Sequence, residues 1–227
     1  MKFSPIVLTA TLAAMTLPVT HAHAANIDNT GEVMSGISPF GSPHTSTYGQ
    51  TFTAGADDAA ITGFSMFLYG DDLPLTFRGY LATWTGTQAG TLLFTSDDTI
   101  ISAPGSVQEF AFSTNVAVTA GQQYVAFLST SDLGGQLATS YTMPLTGNSI
   151  SGGRFYYSNN ALDFSSLFND QWDGQYSSND AALKVSFSSL AANAVPEPAT
   201  WAMMIGGFAM AGGAMRRRKA GATVAYA

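Results

Sequence analysis

Three aspartate pairs, Asp57-Asp58, Asp71-Asp72 and Asp97-Asp98, are the first side chains along this chain with an obvious chemical use. Calcium takes six to eight oxygens from carboxylates and carbonyls, and paired aspartates supply them. All three pairs fall among turn-forming residues, however, and aspartate is itself a common turn residue. No D-x-[DN]-x-[DN]-G loop is present. The expectation is therefore no cofactor, with calcium at Asp57, Asp58, Asp71, Asp72, Asp97 and Asp98 as the alternative.

Acid–base and nucleophilic chemistry have little to work with. His44 is the one histidine beyond the first 24 residues. It sits in "SPFGSPHTST" without the G-x-S-x-G elbow that presents a nucleophilic serine, so a solvated loop residue is expected. Glycoside hydrolysis needs two facing carboxylates. Glu109 is the single glutamate within a strand-like run, "SVQEFAFS", where alternation sets it opposite Phe110 and Phe112. A solvent-facing strand carboxylate is expected there. The chain has no cysteine, which excludes disulfides, thiolate metal sites and thiol nucleophiles. No phosphate loop or dinucleotide fingerprint appears.

Flat aromatic rings suit sugar binding, because the faces of pyranose rings are apolar. Trp84, Trp172, Tyr156, Tyr157 and Tyr176 are available, and "FNDQWDGQYSSND" mixes Trp172 and Tyr176 with amides and acids as a binding loop would. Trp172 and Tyr176 are the sugar-binding candidates. The competing reading, favoured for Trp84 and most of the tyrosines, is that these rings fill a core.

The elements that must position these residues read as strands. Runs rich in β-branched and aromatic residues recur at 47–54, 61–70, 74–86, 91–96, 107–113, 122–130, 153–158 and 181–189, separated by Gly, Asp and Pro. Short additions are expected at Val116 and Val118 and over 136–143. Leu75, Phe77 and Leu81 share one face, with Thr76, Arg78 and Tyr80 on the other. Leu183, Val185 and Phe187 alternate in the same way with Lys184, Ser186 and Ser188. No helical stripe appears between the termini, though 161–170 suits a single turn. The predicted fold is all-β, an antiparallel β-sandwich or jelly roll of about eight to ten strands, with a signal peptide before it and a single transmembrane helix after it.

Charge is scarce and unevenly placed. Charged residues make up 10% of the 227, and the formal net charge is −7. Five of the eight basic residues are terminal. From residue 25 to residue 192 only Arg78, Arg154 and Lys184 face fourteen acids, a net of −11. Such a body repels nucleic acid and anionic membrane surfaces, so no nucleic-acid partner is expected.

The two ends read as addresses. Lys2, an apolar stretch from Ile6 to Val19, and Ala22-His23-Ala24 follow the three-part pattern of a signal peptide, with signal peptidase cutting after Ala24 and testing Ala22 and Ala24. Near the other end, Val195-Pro196-Glu197-Pro198 precedes 17 residues without a charge, 199–215, and then Arg216, Arg217, Arg218 and Lys219. As a helix the uncharged run would span about 25 Å, near the lower limit for crossing a bilayer. The basic cluster acts as a stop-transfer signal on the cytoplasmic side. Gly206, Gly207, Gly212 and Gly213 thin the helix and lower its apolar area.

This order of Pro-Glu-Pro, short Gly/Ala-rich apolar helix and Arg-rich end resembles the PEP-CTERM sorting signal. The resemblance implies recognition by an exosortase, an integral-membrane transpeptidase-like enzyme, in a Gram-negative bacterium that makes extracellular polysaccharide. It implies that the PEP residues belong to a substrate. "YGQTFTA", "TAGQQYVAFLST" and "DAALKVSF" are similar to the β-sandwich bodies often joined to such tails, which bears on fold alone. The expected organisation is signal peptide 1–24, β-sandwich body 25–190, linker with the PEP motif 191–198, transmembrane helix 199–215 and basic cytoplasmic tail 216–227. The expected function is that of an exported surface or matrix protein without catalytic activity, transiently anchored in the inner membrane. The alternative is a carbohydrate-binding or adhesion module acting on extracellular polysaccharide. An extracellular hydrolase ranks behind both.

Overall fold

The computed structural model describes residues 26–41, 44–70, 73–101, 105–133, 141–174, 178–190 and 198–219; in the terminal helix it describes side chains at 201–213, 215 and 216. The signal-peptide segment with Ala22 and Ala24 lies outside the described residues. So do Asp71, Asp72, Tyr176, Val195, Pro196 and Glu197.

The described residues divide into two units, the body within 26–190 and the terminal segment 198–219. Thirteen strands lie in the described part of the body: β1 (Ile27–Asp28), β2 (Val33–Phe40), β3 (Thr47–Thr53), β4 (Asp58–Leu68), β5 (Leu75–Trp84), β6 (Ala89–Thr95), β7 (Thr99–Ile101), β8 (Gln108–Ala117), β9 (Gln123–Ser129), β10 (Tyr141–Thr146), β11 (Arg154–Ser158), β12 (Asp180–Ala181) and β13 (Leu183–Ser189). They form a four-stranded sheet in the order β1-β13-β4-β8, a six-strand group led by β11-β3-β9-β5-β6 with β7 also on β5, and a small sheet β12-β10-β2. All of these strand pairings are antiparallel.

Alternation explains how the sheets meet. Leu75, Phe77 and Leu81 of β5 and Tyr124, Ala126 and Leu128 of β9 enter the main core together with Ile61, Phe64 and Met66 of β4 and Leu183, Val185 and Phe187 of β13. Rings cross between the sheets: Phe77 to Phe110 with centroids 4.9 Å apart, Phe64 to Phe94 at 6.1 Å, and Phe52 to Phe187 at 6.1 Å. Each fully buried Leu or Phe contributes roughly 1.5–3 kcal/mol, so a cysteine-free body of this size is held by its core. Gly79 marks a close approach of the two sheets. A Cβ there would lie 2.5 Å from the Phe112 ring.

The other face of the six-strand group is not solvated. Tyr80, Ala82 and Trp84 of β5 and Val125 and Phe127 of β9 form a second core with Ala89, Leu167 and Trp172. The segment 159–174 covers it. Its one helical turn, Phe164–Phe168, is capped by Asp163, whose carboxylate accepts from the Ser165 and Ser166 amides. The single turn expected over 161–170 is present. Its role as a lid on a second core is what the sequence did not announce.

β2 was not expected. Gly36 and Pro39 within "VMSGISPF" read as turn residues, but among the described strands β2 pairs with β10 on one side alone, and an edge strand tolerates proline. Ile37 and Phe40 still reach the core. Asn29 fastens the start of the body: its amide group donates to Thr146 Oγ1 and the Ala181 carbonyl, each at 3.0 Å, and its Oδ1 accepts from the Leu183 amide at 2.7 Å. Buried Asp180 accepts from Gln50 Nε2 at 2.7 Å and from the Ser149 and Ile150 amides at 2.8 and 2.7 Å.

The described residues of the terminal unit form one helix, α1 (Pro198–Lys219). It is longer than the expected span because the basic cluster continues the helix. The expectation of a transmembrane helix over 199–215 is corrected: among the described residues, no helix is long and apolar enough to cross a membrane. Gly206, Gly207, Gly212 and Gly213, with Thr200 and Pro198, dilute the contribution of the Met, Ile and Phe side chains.

Candidate functional site

Pro198 opens α1 as its first residue. Proline suits that position because its missing N–H would have no intrahelical acceptor there, and its fixed φ is already helical. Proline at 196 and 198 disfavours helical backbone in the residue before each. Past that point Trp201, Met203, Ile205, Phe208 and Met210 are exposed, with apolar side chains distributed around the helix. Arg216, Arg217, Arg218 and Lys219 occupy its last turn, where cations complement the negative end of the helix dipole.

The body's candidates are dispersed. Trp172 is 1% exposed, edge-on to Trp84 and to Phe127, with its Nε1 donating to the Leu167 carbonyl at 2.9 Å. It offers no open ring face, so the sugar-binding expectation for Trp172 is corrected in favour of a core role. His44 is exposed. Glu109 lies on β8 with its Oε2 accepting from Lys184 Nζ at 2.9 Å. That ammonium, and then the Ser65 hydroxyl, hold the Glu109 carboxyl below its ordinary range, whereas a general acid needs the opposite shift.

Of the aspartate pairs, Asp57-Asp58 and Asp97-Asp98 are described. Asp58 is buried, and its Oδ2 accepts from the Gly55 amide at 2.7 Å. Asp57 is exposed and uses its carbonyl to accept from the Leu190 amide at 2.8 Å. Asp98 accepts from Arg78 Nε at 2.6 Å. Among the described residues no three His, Asp or Glu side chains group as for a metal ion. Asp58 thus serves its own turn, while Asp98 is engaged by Arg78 of β5.

Two arrangements were not foreseen. Arg78 of β5 bridges two loops, donating through Nε to Asp98 and through Nη1 to Asp132 at 2.6 Å each. These carboxylates hold its guanidinium firmly charged, Asp98 first. Beside it, burial pushes the Tyr80 phenol far above its ordinary value, and Asp132 adds in the same direction. The second arrangement is an open polar cleft of about 400 Å³ lined by Thr51, Trp84, Gln123, Asn148, Arg154 and Tyr156, with glycines at 86, 152 and 153. Trp84 and Tyr156 lie with ring centroids 4.6 Å apart, tilted by 42°. Trp84, Tyr156 and Arg154 each stand out in the sequence. The strand order β11-β3-β9-β5, with Arg154 opposite Thr51, brings them to one place.

Residues 194–219 match the family model described as the PEP-CTERM protein-sorting motif. No curated protein matches the chain.

Proposed function

From a chain whose residues 194–219 carry a PEP-CTERM sorting motif, we propose an exported protein whose C-terminal segment is recognised and processed by an exosortase. The observation that carries this reading is the order of the match: Val195-Pro196-Glu197-Pro198, then α1 beginning at Pro198, then the basic cluster in its last turn. Export begins with residues 1–24 acting as a signal peptide. The Pro-Glu-Pro strip enters the cleft of the processing enzyme, and Glu197 supplies the charge that the enzyme grips. α1 is too glycine-rich for a lasting anchor. It engages the inner membrane in passing, and its four cations resist translocation. After processing, the body is delivered to the cell surface or extracellular matrix, where it acts without catalysis.

Replacing Pro196, Glu197 and Pro198 together with alanine in a host that possesses the exosortase tests this. The variant is expected to accumulate uncut in the inner-membrane fraction while wild type leaves it. Equal processing of the two proteins would refute the reading.

A further inference from the structure

The cleft between β3, β9 and β11 has the wrong charge for this protein, and that difference points to a ligand. Three cations face fourteen acids between residues 25 and 192. Arg78 is taken by Asp98 and Asp132, and Lys184 by Glu109. Arg154 has no carboxylate partner among the described residues, and it is exposed at the cleft. None of the described residues lining the cleft is acidic.

The remaining lining is built for hydroxyl-bearing rings. Gln123 Nε2 donates to the Gly152 carbonyl at 2.9 Å, which fixes the amide. Thr51 Oγ1 accepts from the Arg154 amide at 3.0 Å and donates to its carbonyl at 3.2 Å. The backbone of Arg154 is thus clamped while its guanidinium stays free. Asn148 is exposed on the same rim, and the half-buried Tyr156 ring packs on Trp84 behind it. Amides beside a fork-shaped cation match a sugar that bears a carboxylate: the hydroxyls meet the amides, and the carboxylate takes two parallel N–H donors from the guanidinium.

We propose that this cleft binds a uronic-acid residue of an acidic saccharide, with Arg154 as the carboxylate contact and Gln123 and Asn148 as hydroxyl contacts. The action assigned to the cleft is binding. This inference stands on the cleft alone and does not depend on how residues 194–219 are processed.

Isothermal titration of the full chain in mild detergent, using oligogalacturonate, its methyl ester and sodium acetate as probes, tests it. The acid is expected to bind saturably, with the methyl ester and acetate each at least about tenfold weaker, since a hydrogen bond to a charged group is worth that much or more. Arg154→Gln is expected to erase the preference for acid over ester. Asn148→Ala is expected to weaken both sugars alike. Thermal melting of each variant within a degree or two of wild type excludes unfolding as the cause. Absent binding by oligogalacturonate, equal binding of acid and ester, equal binding by acetate, or an Arg154→Gln protein that still prefers the acid would each overturn the proposal.

Discussion

Trp172 stands edge-on to Trp84, with ring centroids 5.5 Å apart and planes at 81°, while its indole N–H is committed to the Leu167 carbonyl. The ring closes the second core over the outer face of the six-strand group. Gly49 leaves room for it: a Cβ at that position would lie 2.7 Å from the Trp172 ring. Trp172→Ala is therefore expected to cost about 3–5 kcal/mol of stability, measured by denaturant unfolding. A loss below about 1 kcal/mol would contradict the assignment of Trp172 to a core.

Gly79→Ala tests the main core from the opposite direction. The added methyl meets the Phe112 ring between the two principal sheets. Overpacking of this kind costs about 1–3 kcal/mol. The midpoint of denaturant unfolding should fall while its slope stays constant. An unchanged midpoint would mean that the sheets are not in register as described.

The Glu109–Lys184 pair gives the body a pH signature of known sign. The Glu109 carboxyl is held below its ordinary value of 4.5 by Lys184, and the Lys184 ammonium is held above its ordinary 10.5 by Glu109. The carboxylate's contribution is complete above its ordinary value and is lost as pH falls through the lowered one. The ammonium's contribution is complete below its ordinary value and is lost as pH rises through the raised one. The stability difference between wild type and Glu109→Gln should accordingly be level near neutrality and shrink in acid. Both side chains are well exposed, so the difference is small and salt reduces it further. A difference independent of pH would contradict the pairing.

These cores show how far the sequence could be read. The alternation of Leu75, Phe77 and Leu81 against Tyr80 identified both faces of β5, because a strand's period is imposed by the backbone itself. What covers the Tyr80 face is a matter of tertiary contact: Phe164, Leu167 and Trp172 lie some eighty residues away, in a segment whose local pattern supports one turn only. β2 stayed hidden because Gly36 and Pro39 carry turn signals, which an edge position overrides. The sorting residues were legible because their recognition depends on linear order. The Arg154 cleft was not, because its lining comes from β3, β5, β9 and β11 and the loops beside them.

Intact mass of the mature protein, recovered from outside a host that possesses the exosortase, tests the central claim most directly. The account predicts a chain that starts at Ala25 and ends near the Pro196-Glu197-Pro198 strip, without α1. A secreted product that still carries Arg216, Arg217, Arg218 and Lys219 would contradict it.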